Sequence, residues 1–432
     1  MQHQTESMRT MMGPILAEGK TKIITQWPDD RSKVLLTAKD DITAFNGLKH
    51  DLLSGKAHYS TATTCNVFRF LKKCGLPVAF ERQISATQFV APKCEMILYE
   101  VVVRREAHGS FLKRHPYLKK GHVFPELMLE FFLKTKDQQW EGKSIPADDP
   151  FISFNNDVAE LYVPNVPTWQ QEPFMKLSNY PLCNQPEVIE QIGKRARQVF
   201  LALEKAWQLA GSKLVDFKLE FGFDVNGNLL IADVIDNDSW RVVHDGHYID
   251  KQFYRDGAEL DEVAAKYAYV AKKTEQFDLP KQQIIIWRGS VKDDVQEIID
   301  YLAQYAPWIS TQVITCSIHK DPVGGYQELT DHVQQIPNSV LLAFIGRSNG
   351  AGPTLSANTT IPVITIPVGW EKFPDDIWSS LRAPSNVPVM TVLDSKNACL
   401  AALQILSANN AALAMQLQTE RLGRSRNIVF MP

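Results

Sequence analysis

The residues best suited to do chemistry are Glu220, Asp233, Asp236, Asp238 and Arg241. They lie in and just after two apolar runs joined at Asn226-Gly227. Asn-Gly is a strong hairpin signal because both turn positions need positive φ. With Asn226 and Gly227 as a two-residue loop, counting outward sets Glu220 opposite Asp233. Facing side chains have Cβ atoms about 5 Å apart. Two carboxylates there repel unless a proton or a cation lies between them. Magnesium, a hard ion held by one or two carboxylates plus phosphate oxygens, meets that need. A Gly227-Asn228 loop would make the two acids diagonal neighbours, still able to share an ion. The bland alternative is an exposed hairpin with two solvated acids. The dense polar run that follows argues against it.

Upstream, Gly19-Lys20-Thr21-Lys22 begins an apolar run, and strand alternation puts Lys20 and Lys22 on one face. The GxxxxGK spacing of a Walker loop is missing. A strand over 96–104 carries Glu100 and Arg104 on one face, and Gly109-Ser110-Phe-Leu-Lys113-Arg114 follows. Basic residues beside an exposed Gly-Ser backbone suit a phosphate monoester. A solvated basic turn is the alternative.

These groups need elements to hold them. Before residue 270 strands and helices mix irregularly, and 261–273 reads as a closing helix. A polar stretch with one proline then reads as a linker. After it, short apolar strands at 284–287, 312–315, 340–345, 361–366 and 387–392 alternate with helical segments, the first over 293–305. That alternation means a doubly wound parallel α/β sheet, whose ligands sit at the carboxyl ends of the strands. Three polar clusters fall there: Gly289-Ser290, Ser317-Ile-His319-Lys320 and Gly346-Arg347-Ser348-Asn349-Gly350. The expected domains are therefore 1–272, α+β, and 283–432, joined by a linker over 273–282.

Composition sets outer bounds. The 432 residues are 44% hydrophobic, enough for two cores. Lys+Arg 46 against Asp+Glu 49 gives a net charge of -3, which argues against bulk nucleic-acid binding. No apolar run reaches the roughly 20 residues that span a bilayer, and the start of the chain lacks the pattern of a secretory signal. The six cysteines are scattered without a CxxC pair, so a reducing, cytoplasmic setting is expected.

Taken in order, these motifs resemble the animal bifunctional family of de novo purine synthesis. That family joins phosphoribosylaminoimidazole-succinocarboxamide (SAICAR) synthetase to phosphoribosylaminoimidazole (AIR) carboxylase. Glu18-Gly-Lys-Thr-Lys22, Asp40-Asp-Ile-Thr-Ala-Phe-Asn46, Glu100-Val-Val-Val-Arg104, Gly109-Ser-Phe-Leu-Lys-Arg114 and the 216–241 hairpin carry the synthetase part. Gly289-Ser290, Ser317-Ile-His-Lys320, Gly346-Arg-Ser-Asn-Gly350, Gly352-Pro353 and Trp378-Ser-Ser-Leu-Arg382 carry the carboxylase part.

The resemblance implies an ATP-grasp-like synthetase fold followed by a parallel α/β sandwich. It implies carboxylation of AIR with free carbon dioxide to carboxyaminoimidazole ribotide (CAIR), without biotin. Coupling of CAIR to L-aspartate with ATP and magnesium follows. Gly19, Lys20 and Lys22 would border the nucleotide phosphates, and Glu100, Glu220 and Asp233 would hold magnesium. Arg104, Ser110, Asp238 and Arg241 would contact CAIR. His319 would take the proton from the imidazole carbon, with Lys320 and Asp293 beside it. Ser290, Ser317, Arg347, Ser348, Asn349 and Gly350 would bind the ribotide. A homo-oligomer, an octamer centred on the carboxylase domains, is implied too, and the apolar runs 398–406 and 411–415 offer surface for it.

Four departures stand out. Val291-Lys292 replaces a Thr-Ser pair of the family's phosphate loop, Ile318 replaces an alanine, and Ala357 a glycine. Lys134-Thr135-Lys136-Asp137 stands where Lys-Asp-Asp is usual. An alternative is therefore a ligase whose carboxylase-like domain serves only as an assembly scaffold. A third reading is an amide ligase acting on another ribotide.

Overall fold

The structure is a computed structural model. It describes residues 13–44, 48–135, 139–140, 143–144, 149–155, 158–177, 185–346 and 350–425. Asn46, Lys136, Asp137, Arg347, Ser348 and Asn349, all singled out above, lie outside the described residues. The chain forms two compact units, Met1–Asp278 and Leu279–Pro432.

The first unit holds two large antiparallel sheets. One contains β1 (Ile15–Glu18), β2 (Lys22–Gln26), β3 (Lys33–Ala38), β4 (Arg82–Ser85) and β5 (Gln88–Pro92), in the order β1-β2-β3-β5-β4. Helix α1 (Lys56–Lys73) packs on it, with the fully buried Phe68 meeting Phe89 of β5 edge to face at 6.5 Å between centroids. The other sheet has ten strands among the described residues. At its centre β6 (Tyr99–Glu106) lies between β7 (Val123–Leu133) and β8 (Lys213–Phe223). Helix α2 (Pro186–Leu209) covers this centre. Its buried residues Ile192, Ala196, Val199, Phe200, Leu203 and Trp207 recur every three or four positions, which makes one apolar face. Phe200 stacks on Phe217 of β8 with ring centroids 5.3 Å apart.

The hairpin after β8 differs from the expected register. Its second strand, β9 (Leu229–Ala232), pairs Phe223 with Leu229 and Glu220 with Ala232, not with Asp233. The cause is one extra loop residue. The Asp224 carboxylate accepts from the N–H groups of Asn226 and Asn228, and Asp224 N–H donates to the Asn228 carbonyl. The loop is thus Val225-Asn226-Gly227, with Gly227 at φ 78°. A three-residue loop ending in a left-handed glycine is the next commonest hairpin connection. β10 (Trp240–His244) then pairs with β8, and β11 (His247–Tyr248) pairs with β10.

Helix α3 (Leu260–Thr274) closes the unit. The stretch beyond it is anchored rather than free. Phe277 is buried against Phe70 and Trp207, with centroids 5.6 and 5.0 Å apart. Gln282 is buried in the second unit, donating to the Leu406 carbonyl at 2.8 Å and accepting from Asn410 at 2.7 Å.

The second unit is a five-stranded parallel sheet. Its strands are β12 (Gln283–Arg288), β13 (Ser310–Thr315), β14 (Ser339–Ile345), β15 (Val363–Pro367) and β16 (Val389–Thr391), in the order β13-β12-β14-β15-β16. Ile284 and Ile286 enter one core with α4 (Gln296–Tyr305) and α7 (Ser395–Leu406). Ile285 and Trp287 enter another, against Leu329 of α5 (Pro322–Gln335) and Leu355 of α6 (Ala351–Ala357). Both faces are covered, so the strands read as unbroken apolar runs. Helix α4 starts later than expected, at Gln296: Val295 before it is not helical, and Asp294 accepts from the Gln296 N–H at 2.9 Å in the preceding turn. The apolar C-terminal runs fill this unit's own core: Ala398, Cys399, Ala402, Leu403, Leu406 and Leu413 are buried in it. They offer no spare surface for assembly.

Candidate active sites

The first site grows from alternation along β8. Asp216, Lys218 and Glu220 share one face of it. In the ladder with β6, Leu219 pairs with Val101, so the next step sets Glu220 across from Glu100. The Lys218 ammonium lies between them, 2.7 Å from Glu100 Oε1 and 3.1 Å from Glu220 Oε1. Lys134 donates to Glu220 Oε2 at 2.6 Å. Burial alone would raise the Glu220 pKa, but Lys218, Lys134 and Lys22 hold it down to about 2. Desolvation brings Lys22 down to about 8, with Glu220 opposing that shift.

Asp233 arrives differently. It follows the last residue of β9 and adopts φ 65°, a left-handed conformation unusual for a non-glycine residue. There it pairs with the Lys22 ammonium. Lys22 is the first residue of β2, whereas Gly19, Lys20 and Thr21 form the connection from β1. The strand alternation expected for Lys20 and Lys22 therefore does not apply. A cavity lined by Thr21, Lys22, Lys56, Ser60 and Asp236 adjoins this cluster.

Around the Gly-Ser loop, arginines and acids interlock. Arg104 is buried, donating to Glu130 at 2.7 Å and Asp216 at 2.5 Å. Arg241 donates to the same Asp216 oxygen at 2.6 Å. Its guanidinium lies against Gly109, so close that a Cβ at 109 would collide with it. Gly109 also has φ 58°, which favours glycine. Ser110 is exposed beside it. The structure thus brings Ser110 and Arg241 together, with Arg104 behind them, but turns Asp238 elsewhere. Asp238 pairs with Lys56 at 3.3 Å and Lys251 at 3.2 Å, and accepts from Tyr267 at 2.6 Å. Those partners hold its carboxyl far below the usual range against the opposing effect of burial.

Sequence reasoning named Lys134 only as part of an altered motif and missed Lys218, Asp216, Glu130 and Lys56. Asp216 and Lys218 had a signal, their period-two spacing with Glu220. Glu130, an acid set in the apolar run Leu127–Leu133 of β7, had another.

In the second unit the site lies at the carboxyl ends of the first three strands. Asp293 sits where β12 and β14 diverge: its carboxylate oxygens approach Gly289 and Gly346, 3.5 and 3.9 Å from where their Cβ atoms would stand. This is the switch point of the sheet. Ser290 Oγ accepts from Lys292 N–H at 3.1 Å, and the Lys292 side chain is exposed. Ser317 opens a turn in which Lys320 N–H and Asp321 N–H both donate to its carbonyl, at 2.9 and 3.0 Å. His319 and Lys320 are exposed on that turn, whereas Ile318 is buried in the core beneath it. The bulk of Ile318 is therefore spent on packing. Gly350 precedes α6, which approaches β15 through Gly352, where a Cβ would collide with Thr365.

Such a chain combines a carboxylate-lysine site in the first unit with a polar rim on a parallel sheet in the second. Residues 15–274 match the SAICAR synthetase family, and residues 283–427 the AIR carboxylase family. The probable multifunctional protein ADE2 of Caenorhabditis elegans is 38% identical, over 96% of this chain and 95% of its own. The human bifunctional phosphoribosylaminoimidazole carboxylase/phosphoribosylaminoimidazole succinocarboxamide synthetase is 34% identical, over 95% and 94%. A SAICAR synthase structure from Ehrlichia chaffeensis matches with a TM-score of 0.50 at 26% identity, covering 60% of this chain and 98% of its own. The chain belongs to the bifunctional family that unites the two enzymes. It is a ligase and a lyase of purine biosynthesis in one polypeptide, and the scaffold alternative is not favoured.

Proposed function

We propose that the first unit couples CAIR to L-aspartate with ATP and magnesium, and that the second carboxylates AIR with free carbon dioxide. The observation that carries the ligase reading is the facing pair Glu100 and Glu220 with one ammonium between them. A place that holds one cation between two carboxylates fits magnesium. Asp233 joins only by releasing Lys22, since among the described residues no three His, Cys, Asp or Glu side chains are placed to hold a metal together. Bound there, magnesium would neutralise phosphate charge.

The chain's own residues supply the rest. The CAIR carboxylate attacks the γ-phosphorus of ATP, and ADP leaves. The aspartate amine then attacks the acyl phosphate, loses a proton and expels phosphate. Lys22, Lys134 and Lys218 offer ammonium groups to the transferring phosphoryl oxygens. Gly19 and Lys20 border the nucleotide. Ser110 and Arg241 take the ribotide phosphate, with Arg104 fixing Asp216 behind them. Asp238 orients Lys56 and Lys251 rather than touching substrate.

In the second unit the electron-rich imidazole carbon of AIR attacks carbon dioxide, forming the carbon–carbon bond. His319 accepts the proton that this carbon loses, and Lys320 steadies the new carboxylate. Neither ATP nor biotin enters this half. Asp293, Ser290, Ser317 and Gly350 hold the ribotide, together with Arg347, Ser348 and Asn349. Exposed Trp370, Phe373, Trp378 and Leu381 support assembly through this unit, and an octamer is our reading. The scattered thiols support a cytoplasmic setting. Assaying each half-reaction separately tests the whole: SAICAR formed from CAIR, aspartate and ATP, and AIR consumed in bicarbonate buffer. Failure of either reaction in the purified chain refutes that half.

A further inference from the structure

Behind the exposed Gly109-Ser110 loop lies a buried side-chain chain that the reaction above does not use. His108 is 6% exposed. Its Nδ1 lies 2.6 Å from the Tyr248 hydroxyl and its Nε2 3.2 Å from Glu106 Oε2. Glu106 Oε1 in turn accepts from Lys213 at 2.7 Å. In the neutral imidazole a carboxylate at Nε2 selects the tautomer: Nε2–H donates to Glu106, and Nδ1 accepts from the Tyr248 O–H. The two rings meet edge to face, with centroids 6.0 Å apart.

The geometry joins two elements. Tyr248 pairs with Val243 across the β10–β11 hairpin, and Arg241 stands two residues before Val243 on the same face. His108 immediately precedes Gly109, whose positive φ and close approach to the Arg241 guanidinium leave the loop little latitude. The His108–Tyr248 hydrogen bond therefore ties the loop to the hairpin that carries Arg241.

We infer that His108 and Tyr248 are positioning residues of the ligase. Their bond holds Gly109-Ser110 against Arg241 and so sets the affinity for the ribotide phosphate. This rests on the reading that the loop receives CAIR.

The test uses the full chain carrying Tyr248→Phe, which removes one oxygen, or His108→Phe. The KM for CAIR should rise about threefold to tenfold in each, the effect of one buried hydrogen bond. kcat and the KM for ATP should stay within about twofold. The double variant should be no worse than the worse single one, because both remove the same bond. AIR carboxylation by the same samples reports an intact chain. An unchanged KM for CAIR overturns the inference, as does a parallel rise in the KM for ATP, the mark of general loosening. Ser110→Ala is the separate control. If it also leaves the KM for CAIR unaltered, the ribotide reading of the loop fails, and the inference falls with it. If His108→Phe does not fold, Tyr248→Phe decides alone.

Discussion

Glu220 and Glu100 face each other across the ladder between β8 and β6, with the Lys218 ammonium between their carboxylates. The opposed acids expected from the hairpin thus exist, but the partner strand is a different one. Glu220→Gln removes a charge and keeps the shape. SAICAR formation should fall by about 10²–10³-fold, the scale of one lost electrostatic contact in a closed site. AIR carboxylation should not change. Parallel assays of the two half-reactions check this, and magnesium titration of the ADP-loaded protein should show weaker binding.

His319→Asn should slow carboxylation by about 10²–10⁴-fold, the usual loss for a general base. AIR binding should persist, because the ribotide contacts come from other residues. Initial rates in bicarbonate buffer with AIR varied separate kcat from KM. Ligase turnover by the same sample should equal that of the wild type.

Gly109→Ala adds a methyl group where Arg241 already stands, at a backbone angle that disfavours side chains. The left-handed conformation alone costs about 1–2 kcal/mol. We expect a lower unfolding temperature for the first unit and a raised KM for CAIR. Scanning calorimetry and ligase kinetics measure the two effects.

Asp250 gives a pH signature. It is fully buried, and burial pushes its carboxyl up to about 7 although the Gln252 and Val242 N–H groups both donate to it. Its unfolded pKa is about 3.9. The folded state therefore binds the proton more tightly, and the stabilisation this provides fades as pH rises from about 4 to 7. Asp250→Asn cannot titrate. Across pH 5–8 the wild type should lose stability relative to the variant, by a few kcal/mol at most. Unfolding temperatures of both proteins across that range check it.

Assembly is testable by light scattering at micromolar concentration, where we expect a particle of several chains. Trp378→Glu, in the exposed apolar set of the second unit, should shift it toward smaller species. A wild-type monomer would refute the assembly reading.

The second unit was legible because strands buried on both faces need unbroken apolar runs, and those runs stand out in the sequence. Its helix α4 starts at Gln296, after the turn in which Asp294 accepts from the Gln296 N–H, a bond that periodicity does not reveal. The hairpin was legible as a hairpin but not in register, because one side chain, Asp224, decides the loop length through bonds to Asn226 and Asn228. That one-residue slip set Ala232 instead of Asp233 across from Glu220 on β9, and the acid that faces Glu220 comes from β6, on the other side of β8. Pairing between β8 and β6 joins residues more than a hundred positions apart, and no local pattern encodes it. The C-terminal alanine-rich run was readable as apolar. Whether its own core or another chain covers it depends on the shape of the sheet.

The lysines around Glu100, Glu220 and Asp233 give the resting ligase a further property. Three ammonium groups, from Lys22, Lys134 and Lys218, meet three carboxylates. Within these ion pairs the positive and negative charges balance. A metal that comes with a polyphosphate brings anions to which the displaced ammonium groups can turn. On the proposed magnesium reading, joint entry of metal and nucleotide would keep these charges balanced throughout.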